Sequence, residues 1–380
     1  VGSDPASLLE AEAGRAFPGG VLLVRVRGQE RLLAATGWTA DEGTGAVRAR
    51  VTPDTLFDLA SLTKPLCLMP VALTLAAEGR LDLHEPVSRY LPWLEGRWLG
   101  AVPTDLLLRH ASGLAAWRPY GPDLCGSRGL FVAGTPEARE FVRQRLASEE
   151  PAYPPGTACL YSDLGYLLAQ EVCEAAGGEP LDVMFRRRVT EALGLVRTSF
   201  RAVRGGLAPA LSSEERGTIA ATECCPLRGR CLQGEVHDEN AWAMGGVAGH
   251  AGLFSTASEV GLVVQALRDS WAGTREWIPR RLAREAWDPA RRLPGSSRIL
   301  GFDTPSRPGS LAGDLAPEGT VGHLGFTGTS CWVDLSGDAV VVLLTNRVHP
   351  SRDREGIREA RRRLHDACWE WVQGLRTGTQ

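Results

Sequence analysis

The chain has 380 residues, 43% hydrophobic and 23% charged, an ordinary globular composition that suffices for one large or two smaller domains. A formal net charge of −3 and an isoelectric point near 6.2 exclude a protein that holds nucleic acid or a polybasic membrane surface by charge. No uninterrupted apolar run of spanning length occurs, so no membrane span is expected, and Val1-Gly2-Ser3-Asp4-Pro5 lacks the charged and apolar regions of a signal peptide. Compartment and oligomeric state stay open.

Along the chain, Ser7 to Ala16 reads as a helix stopped by Phe17-Pro18-Gly19-Gly20. Val21–Val26 and Arg31–Thr36 read as strands joined by Arg27-Gly28-Gln29-Glu30. A helix is expected from Ser61 through Leu66 to Glu78, kinked at Pro70. Pro136 to Ala147 and Asp163 to Ala176 read as helices, and Thr256-Ala-Ser-Glu259 as a capping box opening a helix towards Arg268. Thr329–Asp334 and Ala339–Leu344 flank Leu335-Ser336-Gly337-Asp338 as a second hairpin. A last helix, about 355–374, carries Ile357, Leu364, Ala367, Trp369, Trp371 and Val372. The stretches 202–236 and 289–320, rich in Gly, Pro, Arg and Ser, are the weakest candidates for order.

Both ends are therefore helix plus hairpin around a helical, loop-rich middle. This predicts an α+β fold: an antiparallel sheet flanked by terminal helices, with an inserted, mainly helical domain. The expected division is 1–60 plus 296–380 for the sheet domain and 61–295 for the helical one, with a site between them. Nine cysteines show no paired C-x-x-C spacing, so a structural zinc is not expected and most should be free and buried. One bridge within Cys224, Cys225 and Cys231 stays open if the compartment is oxidising.

Lys64 is the only lysine; the other 41 of the 42 basic residues are arginines. Arginine stays charged, whereas a buried lysine can exchange a proton. Lys64 follows Ser61 by one helical turn in Ala60-Ser61-Leu62-Thr63-Lys64, so hydroxyl and amine share a face. Alone, S-x-x-K is a weak signal. Two more segments add to it: Tyr161-Ser162-Asp163, and Gly322-His323-Leu324-Gly325-Phe326-Thr327-Gly328-Thr329. Tyr161 can accept the serine proton if a cation holds it as phenolate, with Lys64 as that cation or as the exchanging group. His323 adds a titratable donor, and the small Gly325 lets a substrate backbone lie close to the strand.

At this point the chain resembles a known family. Ser61-Leu-Thr-Lys64, Tyr161-Ser-Asp163 and His323-Leu-Gly325 come in the order and rough spacing of the class C beta-lactamases and related DD-peptidases and esterases. Flanking segments agree: Thr55–Ser61, the stretch Leu106-Leu-Leu-Arg-His110-Ala-Ser-Gly-Leu114, Gly252–Thr256 and Leu343–Arg347. The resemblance implies a beta-lactamase/transpeptidase-like fold and a metal-independent serine hydrolase. It would cleave an amide or ester through a Ser61 acyl-enzyme, Lys64 and Tyr161 sharing the base work. Backbone N–H groups of Ser61 and Phe326 would hold the oxyanion. His323, Gly325 and Asp163 would line the substrate site.

Two departures matter. His323 stands where many lactamases carry lysine, which shifts the expected substrate away from lactams. Asp163 replaces the usual Asn: ionised, it accepts but does not donate, so it reads as a partner that keeps Lys64 protonated, as a group that disfavours acidic substrates, or as a helix cap. His237-Asp238-Glu239 and His250 invite a metal, but their spacing matches no standard zinc motif, and the favoured reading is a Gly-rich loop held by hydrogen bonds near the cleft. This segment resembles a bacterial, penicillin-binding-protein-like branch linked to cell-wall fragments. His110 is expected to pack its own loop. The implied substrate is a small molecule or peptide, foremost a peptidoglycan-derived peptide, with no cofactor and no nucleic acid. A carboxylesterase for small esters, a weak beta-lactamase and a non-catalytic penicillin-binding or sensor domain are the alternatives.

Overall fold

The computed structural model describes residues 4–378. Expectations that touch Val1-Gly2-Ser3, or the last two residues, lie outside the described residues. Ten strands lie among the described residues: β1 (Gly19–Val26), β2 (Gln29–Gly37), β3 (Phe57–Asp58), β4 (Ser199–Phe200), β5 (Cys224–Cys225), β6 (Arg230–Cys231), β7 (Leu253–Ser255), β8 (Thr320–Leu324), β9 (Ser330–Asp334) and β10 (Ala339–Thr345).

The two chain ends build one antiparallel sheet in the order β2-β1-β10-β9-β8. Alternation along β1 and β10 sorts their side chains onto two faces. Leu22, Val24, Val341 and Leu343 pack with Leu9, Leu364, Trp369 and Val372 of the terminal helices Pro5–Glu12 and Ile357–Thr377. Val21, Leu23, Val340 and Val342 face the main core with Val260, Val263 and Val264. Those last residues belong to the helix Ala257–Ala272, which lies within the stretch 61–295 yet covers the sheet. Gly261 permits this approach, since a Cβ there would stand 2.4 Å from a Leu23 methyl.

Differences from the sequence reading have local causes. Thr256 caps the helix Ala257–Ala272 by accepting from Glu259 N–H, but the Glu259 carboxylate does not complete the box; it takes the N–H groups of Val196 and Arg197 instead. Residues 320–324, which the sequence reading did not assign to an element, form strand β8. Pro70 sits in the first turn of the helix Met69–Ala77, and the irregularity falls before it, as a π-turn over Lys64–Leu68 closed by Met69 N–H to Lys64 C=O. Ala60–Ala77 has the length and apolarity of a membrane span, but 83% of it is buried inside the protein. The segment 202–236 contains a capped helical turn at Ser213–Gly217 and the β5-β6 hairpin, bridged by a Cys224–Cys231 disulfide; the other seven cysteines are free.

Candidate active site

Strand β3 delivers the chain to the nucleophile segment. It pairs with β7, and Leu59 N–H continues the pairing to Leu253 C=O. Ala60 then adopts φ +47°, a left-handed conformation that costs a non-glycine residue about 1–2 kcal/mol. Asp58 holds it there, accepting Ala60 N–H at 2.8 Å and His237 N–H at 2.7 Å. Burial pushes the Asp58 carboxyl up. Ser61 follows in a single 3-10 turn, Ala60–Leu62, that leads into the buried helix.

Lys64 Nζ, fully buried, donates to Ser61 Oγ at 3.0 Å, to Asp163 Oδ1 at 2.6 Å and to the His250 carbonyl at 3.4 Å. Burial works against its ammonium, but Asp163 and Tyr161 outweigh burial, and the pKa rises above the ordinary lysine value. The lysine therefore rests as a cation. Of the sequence readings of Asp163, ion pairing with Lys64 is the one observed. The helix cap is its neighbour: Ser162 Oγ accepts Gly165 N–H at 3.1 Å at the start of the helix Asp163–Gly177.

Tyr161 lies at the cleft wall, its ring centroid 4.7 Å from Lys64 Nζ, 4.4 Å from the His110 ring and 5.9 Å from the His323 ring. His110 holds the Tyr161 segment in place. Its Nδ1 accepts Ser162 N–H at 3.0 Å, and its carbonyl accepts from Leu160 N–H and the Tyr153 hydroxyl. Burial first, then Arg298 and Lys64, hold His110 well below the ordinary imidazole value, so it is a neutral acceptor.

His323, on β8, pairs across from Cys331, and its Nδ1 contacts the Leu324 carbonyl at 2.8 Å. Burial, Arg298 and Lys64 drive its pKa well below 6.5 as well. Gly325 is small for a reason other than substrate approach. A Cβ there would stand 1.9 Å from Thr329 Oγ1 and 2.6 Å from Leu59 C=O, so glycine is what lets the strand end close on the nucleophile loop. Thr327 and Thr329 hydroxyls stitch the two together through the carbonyls of Asp58 and Leu59, at 2.7 and 3.0 Å. Arg361, buried on the C-terminal helix, donates to both Gly325 and Thr329 carbonyls at 2.7 Å. The N–H groups of Ser61 and Phe326 have no acceptor within the protein among the described residues.

Ser61, Tyr161, Asp163, His323, Gly325 and Phe326 all line one cleft of about 980 Å³. The His237–Glu239 segment lines it too, and its acids and histidines divide into separate pairs. His237 Nε2 lies 3.0 Å from Glu223, which Arg352 also clamps, and together they pull the Glu223 carboxyl down to about 2 despite its burial. His250 Nε2 lies 2.8 Å from Asp238, whose carboxyl is held far below the usual range in spite of burial. Asp58, His110 and Arg361 are contributors that the motifs do not name; only the H-x-S-G-L segment pointed at one of them, His110.

A serine hydrogen-bonded to a buried lysine, beside an antiparallel sheet and under a helical layer, defines a serine hydrolase of beta-lactamase/transpeptidase-like fold. The chain matches the model of the Beta-lactamase family over residues 6–366, and it belongs to that family. It is 31% identical over 373 residues to the N-acetylmuramyl-L-alanine amidase of Bacillus subtilis (strain 168), covering 90% of this chain and 80% of that one. Among solved structures it is similar to EstCE1, a hydrolase with promiscuous acyltransferase activity, at 20% identity and a TM-score of 0.72, over 96% of this chain and 97% of the other. The D-amino acid amidase of Ochrobactrum anthropi SV3, solved with L-phenylalanine amide, has a TM-score of 0.69 at 21% identity, over 98% of both chains. At these identities the two structures speak to the fold alone.

Proposed function

We propose that this protein is a serine amidohydrolase that forms an acyl-enzyme on Ser61 and acts on peptidoglycan-derived peptides. The observation that carries the reading is the 3.0 Å contact between Ser61 Oγ and the wholly buried Lys64 Nζ, at the floor of the cleft. The likeness to an amidase named for N-acetylmuramyl-L-alanine supports the substrate class.

Ser61 Oγ attacks the carbonyl carbon, and its proton passes to the Lys64–Tyr161 pair. Asp163 keeps Lys64 protonated at rest, so the pair accepts the serine proton once one of its two members has given up its own, the other staying protonated beside it. The N–H groups of Ser61 and Phe326 receive the oxyanion. The carbon–nitrogen bond then breaks, and the pair returns the proton to the leaving amine. Water attacks the Ser61 ester and gives a proton to the pair, the bond from Ser61 Oγ to the acyl carbon breaks to release the acid, and the pair returns the proton to Ser61 Oγ. His323 stays neutral at the substrate edge and grips an anion less firmly than a lysine would.

The test is a panel: muropeptides with an N-acetylmuramyl-L-alanine bond, D-Ala-terminated peptides, nitrocefin and p-nitrophenyl esters, compared by kcat/KM. The highest value is expected on the muropeptides or D-Ala peptides. A preference for simple esters over every peptide would make the protein a carboxylesterase, and turnover of none would leave a binding domain.

A further inference from the structure

A second cavity, of about 360 Å³, lies behind the active cleft and shares no lining residue with it. Small-molecule sites begin at about 300 Å³. Leu73, Leu81, Leu282 and Leu300 give this one apolar walls. Leu73 belongs to the helix Met69–Ala77 that follows Lys64, and Arg109, which also lines the cavity, immediately precedes His110.

Most charged groups of this cavity are already answered. Glu285 meets His84 Nε2 at 3.1 Å, Arg281 at 3.4 Å and also Arg291. Asp82 accepts the His84 N–H at 2.9 Å. Two groups are left over. The Arg109 side chain is only 6% exposed, yet its guanidinium donates no hydrogen bond among the described residues, and its Nη1 is buried without an acceptor. Burial pulls its pKa down, and Asp105 offsets this only in part. The Asp105 carboxylate accepts no hydrogen bond among the described residues either. Its cations are Arg109 Nε at 3.7 Å and His84 Nδ1 at 3.9 Å, both beyond hydrogen-bond reach. A buried arginine without an acceptor, beside a carboxylate without a donor, is a costly arrangement for the empty protein.

An α-amino acid completes both groups at once. Its carboxylate accepts the N–H bonds of the guanidinium, its ammonium donates to Asp105, and an apolar side chain rests against the leucine walls. A simple anion would satisfy Arg109 but stand against Asp105 and Glu285, and a simple cation would leave Arg109 open.

We infer that this cavity is a binding site for a free amino acid with an apolar side chain, its carboxylate on Arg109 and its ammonium on Asp105. The site is separate from the Ser61 chemistry and does not depend on it.

Titration calorimetry with leucine, in each enantiomer, tests it against two truncated probes. Leucinamide lacks the carboxylate, and 4-methylpentanoate lacks the ammonium. At least one enantiomer of leucine should bind at a single site, and both truncated probes should bind about tenfold more weakly or worse, as the loss of a charge-assisted contact predicts. Arg109→Gln and Asp105→Asn should each weaken leucine by a similar factor. Leu83→Trp, at the rim, narrows the cavity without touching either charge and should weaken it too. Circular dichroism identifies which variants keep the parent fold. No binding of either enantiomer, or a truncated probe that binds as tightly as leucine, would overturn the site. So would a leucine affinity that the folded variants leave unchanged, since the ligand would then sit elsewhere, as in the active cleft.

Discussion

The two ends of the cleft handle positive charge in opposite ways. At the inner end a single lysine is fully buried, and its charge is answered by a carboxylate at 2.6 Å. At the outer end Arg347 and Arg361 have only backbone carbonyls as hydrogen-bond partners among the described residues. The difference follows the chemistry each end serves. A proton relay needs an amine whose protonation can be tuned by its neighbours, whereas tying backbone carbonyls in place needs charge that never leaves. Under the proposed mechanism, a chain with 42 basic residues keeps its one lysine for the first task.

Exchanging the two kinds of cation breaks the comparison most severely. Lys64→Arg keeps the charge but supplies no removable proton and no room for a guanidinium. We expect kcat on the best substrate to fall by about 10³-fold, in the upper range for loss of a general base. Activity within a few-fold of the parent would reduce Lys64 to a fixed charge.

Removing the answering carboxylate is the next step down. Asp163→Asn leaves burial as the dominant influence on Lys64, so its pKa falls. The limb of the pH–kcat/KM profile that reports lysine deprotonation should move to lower pH. An unmoved profile contradicts the ion pair as the control on Lys64. The uncompensated buried ammonium should also cost about 3 kcal/mol of stability, read from urea unfolding.

A milder effect separates the buried interior from the arginine rim by pH. His110, His323, His349 and His365 all have folded pKa values below 6.5, and His365 is pushed down to about 4 by burial. The unfolded chain binds those protons more readily, so stability is full above pH 6.5 and is lost as pH falls below it, the His365 share between 6.5 and about 4. The melting temperature should drop steadily over that window, while the arginines contribute nothing to the slope. A flat melting temperature would show that these histidines titrate normally. The smallest effect is expected from EDTA, which should leave kcat/KM unchanged. A loss restored by zinc would mean that His237 and His250 trade their carboxylate pairs for a metal.

How much of this was legible in the sequence depends on distance along the chain. The terminal hairpins announce themselves because alternation and turn residues are local, and the C-terminal helix because Ile357, Leu364 and Val372 recur on one face at helical spacing. Strand β8 was hidden because Gly322 interrupts any β-rich run there, and β3, β4 and β7 are too short to leave a pattern. Ser61, Lys64, Tyr161 and His323 were readable as motifs. Arg361 was not, because its task is to reach a carbonyl 36 residues away, and Asp58 looked like any strand-end acid. Asp163 was half readable: its type showed a carboxylate, and only the fold showed that Ser162 takes the capping role and frees Asp163 for Lys64.

The central claim is that Ser61, primed by Lys64, carries the acyl group. Incubation with a fluorescent penicillin or a fluorophosphonate, followed by intact mass and peptide mapping, tests it most directly. One adduct is predicted, on the peptide that holds Ser61, and it should vanish in Ser61→Ala while circular dichroism stays unchanged. An adduct mapped to another residue, or one that persists in Ser61→Ala, would contradict the account.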